Sequence, residues 1–163
     1  MRKIIIGCSR NSKIGSRLIQ WWIGAPYSHV YAKWHLNDQD KDIVYQASHG
    51  MVHFKSCCNF KKENEIVQEF EIELTCEQFK KFSAKCIDLA GEPYSRLELL
   101  QILLCDISNE KIKFEDQPGY ICSELMCELL EDVGYKFDKP KYLVNPKDII
   151  DILVKYTELN RKL

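Results

Sequence analysis

Cys122 is the side chain best placed by sequence to act as a nucleophile. It follows a Pro-Gly-Tyr loop and opens the run CSELMCELLEDVG, where Leu125, Met126, Leu129, Leu130 and Val133 recur at helical spacing before Gly134. The first turn of a helix has N–H groups without intrahelical partners and the positive end of the macrodipole. Both favour an anion, so a thiolate there is expected to be stabilised and its pKa to fall. Spacings of three, four and seven put Cys122 above Leu125, Met126 and Leu129, so it points towards whatever that helix packs on. A buried, inert thiol is the alternative reading of a lone cysteine.

A thiol nucleophile needs a base within hydrogen-bond reach and a third polar group to orient that base. His29 is the natural base. It opens an alternating stretch in which His29, Tyr31, Lys33 and His35 share one face and Val30, Ala32, Trp34 and Leu36 the other. A satisfied polar residue at a strand start is the plainer alternative for His29. Gln46, on the next strand, could accept from the imidazole N–H and hold one tautomer, and His35, His49 and His53 compete for that place. His49, His53, Cys57 and Cys58 offer four possible zinc ligands within ten residues. Adjacent cysteines with histidines at i, i+4 do not match common zinc spacing, so no metal is expected, and no cofactor. Trp21 and Trp22 with Arg17 could form an exposed aromatic groove, but a pair split between core and surface is the favoured reading.

These residues need a scaffold. Lys3 to Ile6 reads as a short strand and Ser12 to Ile23 as a helix stopped by Gly24 and Pro26. Strands are predicted over Ser28 to Leu36, Ile43 to Ala47, Met51 to Phe54 and Glu65 to Leu74, and Asn37 to Asp42 makes the turn of a hairpin. Cys57 and Cys58 fall in a segment that reads as strand and loop. Thr75 has the signature of an N-cap with Gln78 as capping-box partner, and Phe79, Phe82, Cys86 and Leu89 form one core stripe. An apolar helix is expected from about Arg96 to Ile107, a loop from Asn109 to Gly119, and a last helix over Lys147 to Tyr156 behind Pro146. Strands followed by helices make the fold class α+β.

With 163 residues, 45% hydrophobic and 29% charged, the chain suits a single globular domain over residues 1–163. A net charge of −1 points to no nucleic-acid partner. The start MRKIIIGCSR is too short in apolar residues for a signal-peptide core, and no run approaches a membrane span. Eight cysteines without a secretion signal read as free thiols in a reducing cytoplasm.

The ordered set YSHV, IVYQASHGMV, LAGEPY, YICSELMCELLEDVG and VNPKDII resembles the permuted NlpC/P60 group of papain-like cysteine hydrolases, especially its small YiiX-like bacterial members. The resemblance runs from about Ser9 to Ile150. It implies a circularly permuted papain-like fold, an antiparallel sheet packed against helices, with histidine early and cysteine late in the chain. It implies Cys122 as nucleophile, His29 as base and Gln46 as the third polar residue, where relatives generally carry Glu or His. Gln can orient the ring but cannot balance an imidazolium charge. Tyr94 matches the family tyrosine after the glycine, and Tyr94, Tyr27 and Tyr120 are expected to line the substrate site.

The implied chemistry is acyl transfer. The Cys122 thiolate attacks a carbonyl, His29 protonates the leaving group, and water then hydrolyses the thioester. An oxyanion would lie near the Cys122 backbone N–H. The expected substrate is peptide-like, with an amide or isopeptide bond. A lipid ester or thioester hydrolase or acyltransferase on the same site is an alternative. A non-catalytic binding module that keeps the fold is another, and Gln46 is the feature in its favour.

Overall fold

The computed structural model of the protein describes residues 1–95 and 119–160. The expected helix over 96–107, and the loop from 109 as far as 118, lie outside the described residues. Five strands form one antiparallel sheet in the order β4-β3-β2-β1-β5: β1 (Arg2–Arg10), β2 (His29–Leu36), β3 (Lys41–Ser48), β4 (Met51–Ser56) and β5 (Glu65–Leu74). β1 is longer than the short strand expected, because β5 pairs with it from Arg2↔Leu74 to Arg10↔Glu65. The β3–β4 connection is the two-residue turn His49-Gly50, with φ of +53° and +98°. Two left-handed residues twist a hairpin in the sense the strands require.

Strand alternation sorts the side chains. Val30, Ala32 and Trp34 of β2, with Tyr45 and Ala47 of β3, enter the main core. That core is closed by helices α3 (Cys76–Asp88), α4 (Cys122–Asp132) and α5 (Pro146–Asn160). Leu125, Met126 and Leu129 of α4 are fully buried there, each contributing roughly 1.5–3 kcal/mol of burial. Helix α1 (Ile14–Ile23) crosses from β1 to β2 and buries Ile23, with Trp22 packed alongside, while Trp21 stays exposed.

The opposite sheet face carries Tyr31 and Val44 under a short helix α2 (Cys57–Glu63), which adds Cys57 and Phe60. Cys57 and Cys58 were expected in strand or loop. They open a helix instead, because the Ser56 hydroxyl accepts from the Asn59 N–H and caps it. The capping box of α3 is formed as its sequence implies: Thr75 Oγ1 accepts from the Gln78 N–H at 3.1 Å and Gln78 Oε1 from the Thr75 N–H at 2.9 Å. Among the described residues no helix is long and apolar enough to cross a membrane.

Candidate active site

The start of β2 is pinned before its histidine is placed. Ser16 Oγ, on α1, accepts from the Asn11 N–H and from Gln20 Nε2, so its own hydrogen goes to Ser28 Oγ 2.6 Å away. The Ser28 N–H donates to the Ser9 carbonyl at 3.0 Å. Both hydroxyls are buried, and together they tie α1 and β1 to the residue before His29. These serines belong to the site and went unrecognised in the sequence, where a hydroxyl beside a strand carries no distinguishing signal.

His29 lies on the α2 side of the sheet, its ring 6.4 Å from that of Phe60. Its Nε2 is 2.8 Å from Gln46 Oε1, and Gln46 Nε2 is 3.3 Å from His53 Nε2. Gln46 is buried, and it is the polar side chain paired with the His29 ring. Burial holds the His29 pKa down at about 4; the Gln46 hydrogen bond opposes this weakly, and His49 and His53 add to it. The imidazole is therefore neutral near pH 7. His35 points elsewhere, bonded to Asp42 at 2.9 Å on the exposed end of the hairpin. His49 accepts from Lys13 Nζ at 3.2 Å.

Cys122 is the first residue of α4, after Ile121 as N-cap. It is only 7% exposed. Burial pushes its thiol up to about 11, while the N–H groups of Val30, Ser123 and Cys122 itself pull the other way. The expected fall in pKa at the helix start is thus overturned: loss of solvent outweighs the three backbone donors. Val30 directly follows His29, so thiol and imidazole approach the same end of β2. No hydrogen bond between them is present among the described residues. Seven cysteines are free thiols in the described residues.

The segment 91–95, which carries the Gly-Glu-Pro-Tyr string, extends the sheet beyond β4. The Val52 N–H donates to the Glu92 carbonyl, Gly91 to Val52 and Tyr94 to Gly50, at 2.8, 2.8 and 3.0 Å. That segment then holds the approach to α4: Tyr120 N–H to Pro93 carbonyl at 2.9 Å and Ser95 N–H to Tyr120 carbonyl at 3.2 Å. The string matters through its backbone, which sets where Cys122 begins.

A small cleft beside Cys122 is walled by Ile19, Ser28, Tyr94 and Asn145. A neighbouring cleft of about 430 Å³ is lined by His29, Gln46 and His49 and shares Ile19, Ser28 and Tyr94. Tyr94 therefore borders both. Tyr27 lines neither: it is packed into the core at 6% exposure. Tyr120 turns its hydroxyl to Glu128 Oε2 at 3.0 Å, with Lys141 Nζ over its ring. Neither Tyr27 nor Tyr120, both expected at the substrate site, lines these two clefts. Among the described residues no three His, Cys, Asp or Glu side chains converge as a metal-binding group; Cys57, at the start of α2, is buried and Cys58 faces solvent.

The architecture is an α+β fold in which a five-stranded antiparallel sheet meets the helix bearing Cys122. It is shared with the crystal structure of the metalloprotein YiiX from Escherichia coli O157:H7, of the DUF1105 group. The TM-score is 0.63 over 93% of this chain and 92% of that one, at 17% sequence identity. At that identity the likeness is one of fold. No protein-family model matches the chain, and no curated protein matches it in sequence.

Proposed function

We propose that the chain is a cysteine hydrolase of the permuted NlpC/P60 type, a single papain-like domain over residues 1–163 that cleaves an amide bond through a thioester on Cys122. The observation that carries this reading is the hydrogen-bond order at His29. With Nε2 engaged by Gln46 Oε1, the ring donates there and keeps its lone pair on Nδ1, at the end of β2 whose next N–H reaches the thiol. The shared fold with YiiX and the ordered motifs support the same family.

Thiol and imidazole start uncharged, since burial raises one pKa and lowers the other. Proton transfer therefore accompanies attack. The Sγ–C bond forms as the thiol proton passes to His29 Nδ1, and the Cys122 N–H stabilises the oxyanion. Collapse expels the amine, which takes the proton from Nδ1. Water then attacks the thioester and gives a proton to Nδ1; that proton returns to sulfur as the acid leaves. A neutral Gln46 suits a base that rests neutral, whereas Glu would favour a preformed imidazolium. YiiX is described as a metalloprotein; among the described residues of this chain no three His, Cys, Asp or Glu side chains converge.

A peptidyl p-nitrophenyl ester tests the reading by mass spectrometry. An acyl adduct confined to Cys122, lost in Cys122→Ala and slowed ~10²-fold in His29→Ala, is expected. Adducts spread over the exposed Cys58 and Cys76, or none, would overturn it. Turnover of lipid esters or thioesters in preference to peptides would move the substrate to the acyl-lipid class on the same residues. The absence of a thiol–imidazole hydrogen bond favours one other reading, a binding module without catalysis. It predicts no adduct and a peptide or acyl ligand released unchanged.

A further inference from the structure

Resting on this reading of His29 as base, we infer that His53 is a positioning residue: it holds the Gln46 amide in the orientation that leaves the His29 lone pair on Nδ1. Gln46 and His53 are direct cross-strand partners of β3 and β4, on the sheet face that carries His29. The order of donors along the three side chains is set from its far end. His53 Nδ1 lies 3.1 Å from the Met51 carbonyl oxygen, which can only accept. Nδ1 of His53 therefore carries the ring hydrogen, and Nε2 of the neutral ring carries the lone pair. Facing that lone pair at 3.3 Å, Gln46 must present its NH₂ group. Its oxygen is then turned to His29 Nε2 at 2.8 Å, which must donate.

An amide side chain is nearly symmetric in shape, so packing alone does not choose between its two orientations. Reversed, Gln46 would offer N–H to His29, Nε2 would become the acceptor, and the hydrogen would sit on Nδ1, where the reaction needs a lone pair. An acceptor at position 53, itself fixed by a backbone carbonyl, prevents that reversal. A glutamate at position 46 would need no such partner, since both its oxygens accept. This chain's glutamine does.

Nitrogen-15 NMR of the imidazole rings tests the inference in the intact protein, at about pH 8, where histidine is ordinarily neutral. Expected in the wild type are His29 protonated on Nε2 and His53 protonated on Nδ1. His53→Lys puts a donor where an acceptor stood. It should reverse Gln46, move the His29 hydrogen to Nδ1, and lower the acylation rate of Cys122 by about 10²-fold at unchanged KM for the ester. His53→Gln, which can still accept, should keep the wild-type tautomer. Adding Gln46→Glu to the His53→Lys protein should restore it. A wild-type His53 protonated on Nε2, or a His29 tautomer unmoved by His53→Lys, would overturn the inference. Recording the same spectra on Cys122→Ala separates the two claims. Expected tautomers without acylation of Cys122 would sink the hydrolase and leave the tautomer assignment standing; altered tautomers would sink the assignment whatever Cys122 does.

Discussion

Gly119 lies against the Pro93 carbonyl oxygen with no room for a Cβ between them, and its φ is +124°. This contact sets the chain two residues before Ile121 caps the Cys122 helix. Gly119→Ala is expected to cost about 2 kcal/mol or more and to slow Cys122 acylation, because the strand-like pairing of Tyr120 with Pro93 must open. Gly50→Ala has the same sign of φ but nothing within 4 Å of its Cβ. It should cost about 1 kcal/mol and leave acylation closer to wild type. Urea midpoints and acylation rates of the two variants make the comparison.

The Cys122 thiol, pushed up to about 11 by burial, is a poor target for simple alkylation. Iodoacetamide near neutral pH should label the exposed Cys58 and Cys76 first, and the rate at Cys122 should climb until the solution is strongly alkaline. The proposed mechanism, in which His29 takes the proton only during attack, predicts that a carbonyl-directed peptide probe reverses that order. Fast, selective alkylation of Cys122 at pH 6 would show a resting thiolate and contradict the buried neutral pair.

His29 carries a pH signature in stability. Its folded-state pKa of about 4 lies below the ordinary value near 6.5, so between these pH values the unfolded chain binds a proton that the folded chain does not. Stability should fall as pH drops through that window, by up to about 3 kcal/mol from this residue. His29→Phe should flatten that part of the profile of Tm against pH. An equally steep acid limb in the variant would assign it to other groups.

On the α2 face, Lys33 is 8% exposed and held by both carboxylate oxygens of Glu69 at 2.7 Å, one of which also accepts from Tyr31 Oη at 2.7 Å. Glu69→Ala strands a buried ammonium and a buried phenol, and should cost about 3 kcal/mol by denaturant unfolding. Glu71→Ala, which removes the exposed partner of Lys3, should leave the midpoint unchanged within error.

Much of the scaffold was legible in residue order alone. The alternation of 28–36, the Thr75–Gln78 capping box and the apolar spacing after Cys122 are near-neighbour patterns, and each element formed where they place it. His29 and Gln46 could be nominated together because consecutive strands joined by a short turn pair with each other. Tertiary structure decided the rest, because burial and the identity of a hydrogen-bond partner depend on chain segments far apart in sequence. Packing of α4 on β2 made Cys122 a raised rather than a lowered thiol. The direction of the chain sent Tyr27 into the core and turned the Tyr120 hydroxyl to Glu128. Pairing of β3 with β4 brought His53, one of three competing histidines in the sequence, to the far side of Gln46 from His29.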